Sequence, residues 1–71
     1  MGYTIDQISI GNSIIPYNKW LSSVLDSENV NDTVWIVIQK LKNNIKIEPE
    51  IPTGTQPKTL WARAEHIEYI L

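Results

Sequence analysis

A chain of 71 residues without cysteine can form neither a disulfide framework nor a thiolate metal site, and at this length it buries only roughly 60% of its unfolded surface. Its 42% hydrophobic and 20% charged residues are typical of a folded domain and not of a disordered chain. The formal net charge of −2 argues against a dedicated nucleic-acid-binding domain, which usually carries a strong basic excess.

The cellular setting is inferred from what the sequence does not contain. No segment has the layout of a signal peptide, and none approaches the ~18 consecutive apolar residues that span a bilayer. We therefore expect one small domain over residues 1–71 that is soluble, cytoplasmic and free of membrane contact. The heavy use of Ile and Asn fits an AT-rich bacterial or phage coding sequence.

The first third of the chain predicts a strand, a turn and a helix. Residues 3–10 are rich in β-branched and aromatic types and predict a strand with a bulge near residues 6–7. Gly11 and Asn12 lie between two apolar runs and predict a tight hairpin turn. Beyond Pro16, apolar residues recur at helical spacing and predict one amphipathic helix over about residues 16–26. The members of that stripe are Tyr17, Trp20, Leu21, Val24 and Leu25.

The middle of the chain predicts a hairpin. Residues 33–42 predict the central strand, and Asn43 with Asn44 predicts a two-residue turn into a partner strand over residues 45–48. Because Pro49 and Pro52 cannot donate to a ladder, that partner strand is expected either to lie at a sheet edge, where a second chain could pair with it, or to end early. Residues 27–32 and 52–57 are expected to be loops.

Residues 59–71 fit either a helix or a strand, a short turn and a second strand. The second interpretation is favoured, with residues 60–63 and 67–70 as the strands. It resembles the closing strands of SH3-like small barrels in pattern. The expected fold is therefore α+β: a curved antiparallel sheet of four or five short strands with one helix packed against it.

Three tryptophans are the first candidates for function, because exposed Trp often dominates the energy of binding surfaces. Trp20 lies on the apolar stripe of the predicted helix and is expected in the core. Trp35 faces away from the larger aliphatic set of its strand, Val34, Ile36 and Ile38, which leaves it open between a second cluster and a binding face. Trp61 is similarly open. Trp35 and Trp61 are therefore predicted as partner-binding residues.

The polar candidates indicate binding more than catalysis. Lys40, Lys42 and Lys46 cluster around the predicted hairpin turn and are added to the partner-binding residues as a basic tip. His66 has no nucleophile or set of metal ligands at a suitable spacing and is expected to be solvated. Glu48 and Glu50 are expected to protect a sheet edge. We predict no catalytic residue, no metal site, no cofactor and no small-molecule substrate.

These features favour a non-catalytic protein-interaction module, such as an inhibitor, adaptor or accessory subunit. The expected partner is another protein or a second copy of the chain, in a homodimer. The alternative is a nucleic-acid-binding small β-barrel that uses the basic tip with an exposed Trp as a stacking platform. Nucleic acid is the less favoured partner because the net charge is negative.

Overall fold

The computed structural model describes residues 3–25, 33–50 and 59–71, which form one α-helix and a five-stranded antiparallel sheet. The elements in chain order are β1 (Ser13–Pro16), α1 (Asn18–Leu25), β2 (Trp35–Leu41), β3 (Asn44–Pro49), β4 (Leu60–Arg63) and β5 (Ile67–Ile70). Short 3-10 helices cover Ile5–Gln7 and Ala64–His66. The predicted α+β class is confirmed. The loops predicted over residues 27–32 and 52–57 lie outside the described residues.

The strand order across the sheet is β4-β3-β2-β1-β5. β2 lies at the centre, as predicted. β4 and β5 form the two edges and do not pair with each other, so the sheet is not closed into a barrel. Of the two alternatives for β3, the edge position is wrong, because β3 pairs with β2 on one side and β4 on the other, whereas the strand does end at Pro49. Pro49 is the last residue of β3, beyond the residues 44–47 that pair with β4, and so it blocks no ladder bond there.

The core is built from one face of the sheet together with α1 and the two 3-10 segments. Its buried members are Ile8, Ile14, Leu21, Trp35, Val37, Ile45, Ile47, Ala62, Ala64 and Ile67. On β2 the inward set is opposite to the one expected from the sequence. Trp35 pairs with the buried Pro49 and Val37 with the buried Ile47, whereas Ile36 pairs with Glu48 on the outer face. The register with β3 therefore selects the face that the indole occupies.

The strand expected over residues 3–10 is wrong. Ile5–Gln7 is a 3-10 helix, in which Gln7 N–H donates to the Thr4 carbonyl at 3.0 Å and the Gln7 side-chain oxygen accepts from Thr4 N–H at 2.8 Å. This reciprocal arrangement satisfies groups that a strand would have left for a partner. The break in alternation at Gln7 thus marks a helical turn and not a bulge, and it delivers Ile8 to the core.

The turn predicted at Gly11 and Asn12 is present one residue earlier, at Ile10 and Gly11, and it does not close a hairpin. Asn12 N–H donates to the Ser9 carbonyl at 3.1 Å, and Gly11 has φ +96°, which other residues rarely adopt. Gly11 N–H then donates to the Val37 carbonyl at 2.8 Å. The turn therefore leads the chain onto β2, and the strand that follows, β1, pairs with β2 and β5.

The helix is confirmed in the middle of its expected range and begins later, at Asn18, because Pro16 is still the last residue of β1. Leu21 is fully buried, and Trp20 and Leu25 pack on the core while half-buried. Val24 is exposed. The apolar stripe therefore contacts the core along only part of its width.

The hairpin between β2 and β3 is confirmed with its turn displaced by one residue. Leu41 pairs with Asn44, so the turn residues are Lys42 and Asn43, and Lys42 has φ +56°. Asn44 is therefore the first residue of β3 and not a turn residue. Lys42 consequently occupies a left-handed backbone conformation that favours Gly or Asn.

The favoured interpretation of residues 59–71 is confirmed. β4 and β5 are separated only by the 3-10 helix at Ala64–His66. The His66 ring nitrogen Nδ1 accepts from Arg63 N–H at 3.3 Å, and the His66 carbonyl accepts from Tyr17 N–H at 2.9 Å. The two edge strands are thereby joined by a short corner that is tied to the start of α1.

Candidate functional site

The outer face of β2, β3 and β4 carries two rows of paired side chains, because directly paired residues of antiparallel strands lie on the same face. One row is Leu41, Asn44 and Arg63, and the other is Gln39, Lys46 and Trp61. We call the part formed by Leu41, Lys46, Trp61 and Arg63 the Trp61 face. Leu41 is 53% exposed and Trp61 is 48% exposed. Two large apolar side chains thus stand in solvent on one side of the sheet.

Trp61 is held beside a positive charge. The Lys46 ammonium nitrogen lies 5.9 Å from the centre of the indole ring, which is within the ~6 Å range of a cation–π contact. The strand register sets this contact by placing Lys46 opposite Trp61. Lys46 is half-buried, so its alkyl stem covers apolar surface while the ammonium stays near water. The pair offers a flat apolar surface with an adjacent cation.

Arg63 adds a second cation to the same face. Its guanidinium lies 3.6 Å from the Glu65 carboxylate, with both side chains exposed, so the ion pair is weak and leaves the arginine available to other anions. Beside Arg63 lies a shallow concavity of about 330 Å³. Its lining residues are Tyr3, Thr4, Ile5, Asn43, Arg63, Ala64 and Glu65.

The three lysines predicted as a basic tip are distributed over different surfaces. Lys46 belongs to the Trp61 face, Lys42 lies in the turn, and Lys40 pairs with the buried Ile45, which assigns it to the opposite side of the sheet. Lys40 and Lys42 are both exposed. The structure therefore brings Lys46 together with Trp61, while the other two lysines contribute charge at the end of the hairpin.

Trp35 occupies a different place from the one expected for a partner-binding residue. Its side chain is fully buried, because its register partner Pro49 also faces the core. Its indole Nε1 has no hydrogen-bond partner among the described residues. Trp35 therefore offers no surface to a partner in this structure, and it belongs to the core.

Leu41 and Arg63 were missed by sequence reasoning. The signal for Arg63 was present, since it follows Trp61 by two residues in a segment expected to be a strand, and this spacing puts both side chains on one face. Leu41 was harder to find. It lies beyond a shift in register between Val37 and Gln39, which changes the face that alternation assigns to each following residue.

His66 is not the solvated side chain that we expected. It is half-buried, and its imidazole stacks on the indole of Trp20 with a ring-centre distance of 4.6 Å and an interplanar angle of 14°. Together with its hydrogen bond from Arg63 N–H, this contact gives His66 a defined position between the helix and the corner of the sheet.

Within residues 3–25, 33–50 and 59–71, no group of three or more His, Cys, Asp or Glu side chains is placed to hold a metal ion. The helices in these ranges are too short and too polar to cross a membrane. No protein-family model matches the chain, and no curated protein or solved structure shows significant similarity to it.

Proposed function

We propose that this chain is a non-catalytic protein-interaction module that binds another protein through the Trp61 face. The observation that carries the proposal is the half-exposed indole of Trp61, held beside Lys46 on the solvent side of a sheet. A tryptophan in this position presents a large rigid surface at little cost in side-chain entropy, as the dominant residues of many interfaces do. Leu41 adds a second exposed apolar side chain on the same side of the sheet, two strands away.

The charges around Trp61 favour an acidic partner surface. Four of the six basic residues of the chain lie around the hairpin and β4: Lys40, Lys42, Lys46 and Arg63. The same elements contain one carboxylate, Glu48, whereas the protein as a whole carries a net charge of −2, so this region is positive against a negative background. Complementary charge on the partner would raise the rate of encounter and fix the orientation of docking.

The proposal includes an SH3-like arrangement of the strands. The strand order β4-β3-β2-β1-β5, with a single 3-10 turn between the two edge strands, supports the SH3-like pattern suggested by the sequence. In such an arrangement the hairpin of β2 and β3 and the neighbouring β4 form a continuous outer surface. The Trp61 face lies on that surface.

The proposal is tested by comparing two variants as baits for proteins from the source cell. Trp61→Ala removes the proposed contact, and Tyr69→Ala is the matched control, because Tyr69 is an exposed aromatic residue on the opposite edge strand. We expect a specific partner that is captured by the wild type and by Tyr69→Ala but is depleted at least tenfold by Trp61→Ala. A partner captured equally by all three baits would contradict the assigned surface.

The second candidate is binding to single-stranded nucleic acid, which the Lys46–Trp61 pair also favours because a base could stack on the indole beside a cation. Such binding weakens steeply with salt. Titration of a fluorescent oligonucleotide at low and moderate salt checks it. We expect no tight association. Salt-sensitive binding that disappears when Lys40, Lys42 and Lys46 are all changed to Glu would replace the protein-binding proposal.

A homodimer is the remaining form of the protein-binding proposal, with a second copy as the partner. Sedimentation equilibrium over a wide range of protein concentration measures it directly. A homodimer would also raise the melting temperature with concentration, because association stabilises the folded state by mass action. A dimer that persists in Trp61→Ala would move the contact away from the Trp61 face.

A further inference from the structure

The backbone of Trp61 faces the open edge of the sheet. Leu41 and Asn44 flank a two-residue turn, and residues in that position exchange both of their hydrogen bonds. The backbone groups of Asn44 are therefore directed toward β2, and those of the next residue, Ile45, toward β4. Because Ile45 pairs with Ala62, Ala62 bonds to β3. The N–H and C=O of Trp61 and of Arg63 then point away from β3.

Hydrogen bonds elsewhere in the sheet agree with this assignment. Arg63 N–H donates to His66 Nδ1 at 3.3 Å and not to β3. At the far end of β3, Glu50 N–H donates to the Val34 carbonyl at 3.0 Å, so the even-numbered positions bond toward the β2 side along the whole strand. Trp61 is thus the β4 residue whose N–H and C=O both lie on the edge without a β-ladder partner among the residues that the structure describes.

β4 has few of the features that block strand pairing at an edge. It contains no proline, and its one charged residue, Arg63, points outward and not into the core. The Arg63 N–H is occupied by His66, which limits the open part of the edge to the first positions of the strand. Trp61 lies there, so one residue supplies an exposed indole and an open pair of backbone groups.

We infer that the edge of β4 accepts an extended acidic segment of the partner protein as an added strand, paired through the backbone of Trp61. This rests on the proposed function and specifies its mode of binding. Backbone pairing supplies affinity in such complexes, and alternate side chains supply specificity. Side chains of the added strand on the outer face would lie next to the Trp61 indole and within reach of the Lys46 and Arg63 charges.

Charge favours an acidic segment as the added strand. Lys46 lies opposite Trp61 on the outer face, and Arg63 follows on β4. Two carboxylates lie near these cations: Glu65 is 3.6 Å from the Arg63 guanidinium, and Glu48 is two positions from Lys46 on the same face of β3. An acidic side chain on the added strand would add negative charge beside the Lys46 ammonium and the indole. β4 contains no carboxylate, so a second copy of the chain paired through its own β4 would not supply this complementary charge.

The test uses a blocked heptapeptide of alternating glutamate and valine as the probe, with the lysine–valine peptide as the control of opposite charge. Binding is followed by NMR through the backbone amide of Trp61 in the full chain. We expect the acidic peptide to move this signal in a saturable way and the basic peptide to leave it unchanged. Lys46→Glu should weaken binding at least fivefold, and Lys19→Glu, on the exposed side of α1, should change it less than twofold.

A series of peptides, each methylated on one backbone nitrogen, then examines strand pairing itself. Only alternate N–H groups of an added strand face β4. We expect at least tenfold weaker binding when a methyl group is placed on one set of alternate positions and less than twofold change on the other set. Loss of affinity without this alternation would overturn strand addition.

The outcomes separate this inference from the proposed function. Binding that depends on Trp61 but shows no alternation in the methylated series overturns strand addition and leaves the Trp61 face as a protein-binding surface. Failure of the acidic peptide to bind, or self-association of the chain through β4, also overturns the acidic strand. The proposed function itself fails if partner capture is indifferent to Trp61→Ala, or if the oligonucleotide titration shows the salt-sensitive binding described above.

Discussion

The buried indole of Trp35 gives a sharp test of the core, because it combines a large apolar side chain with an unpaired donor. Replacing it by alanine removes most of a buried ring, which costs about 3–5 kcal/mol. A domain of this length has a total stability of about 3–5 kcal/mol. We therefore expect Trp35→Ala to be largely unfolded.

Trp35→Phe has a different expected result. It removes about 40 Å² of apolar surface, which costs about 1 kcal/mol, and leaves about 40 Å³ of cavity, which adds about 1 kcal/mol. It also removes an indole N–H that has no partner among the described residues, and an unsatisfied buried donor costs about 1–3 kcal/mol. These effects offset one another, so we expect the stability of Trp35→Phe to lie within about 1 kcal/mol of the wild type.

Urea denaturation followed by far-ultraviolet circular dichroism measures both variants. With a slope of about 1 kcal/mol per molar urea for a small domain, Trp35→Phe should move the midpoint by no more than about 1 M. Trp61→Phe is the control for an exposed ring and should change stability by less than about 0.5 kcal/mol. A loss of about 3 kcal/mol in Trp35→Phe would refute the reasoning, because it would mean that the indole N–H contributes a favourable bond.

Three further expectations concern other parts of the molecule. Lys42→Gly should raise the free energy of unfolding by about 1 kcal/mol, since it relieves a left-handed conformation at φ +56°; destabilisation in a urea titration would contradict that turn geometry. Acrylamide should quench Trp61 far more than Trp35, so Trp61→Phe should remove most of the accessible emission, and unchanged quenching would contradict the exposure of Trp61. Trp20 and His66 should show a coupling of about 0.5–1.5 kcal/mol in a double-mutant cycle of alanine substitutions, and a value near zero would mean that the rings do not stack in solution.

Local patterns in the sequence identified most elements of this fold. The apolar spacing from Trp20 to Leu25 indicates the helix, the run after Val34 indicates the central strand, and the two strands of residues 59–71 are found with their short turn. Each of these depends on neighbours within a few residues. Their position in the sheet was harder to obtain, because the pairing of β3 with both β2 and β4 is a long-range property that prolines at its end do not reveal.

The candidate site also depends on long-range strand pairing that local sequence patterns do not reveal. Whether Trp35 or its neighbours face the core depends on register with β3, and alternation within β2 alone cannot decide it. The sequence identifies Trp61 and Lys46 as separate candidates. Their contact depends on the pairing of β3 with β4, which joins residues 15 positions apart in the chain. The strand prediction around Gln7 is wrong for a local reason. A 3-10 turn capped by a Gln side chain gives the same pattern of apolar residues as a strand interrupted by a bulge.

His66 connects the helix, the corner of the sheet and the proposed binding edge. Its carbonyl accepts from Tyr17 N–H, its ring stacks on Trp20, and its Nδ1 accepts from Arg63 N–H. The last bond satisfies the edge amide next to Trp61 and so limits how far an added strand could pair along β4. Because the same residue also fixes the start of α1, the position of the helix and the length of the open edge are determined together. The side chain that the sequence suggested was merely solvated therefore helps to define which part of the sheet is left for a partner.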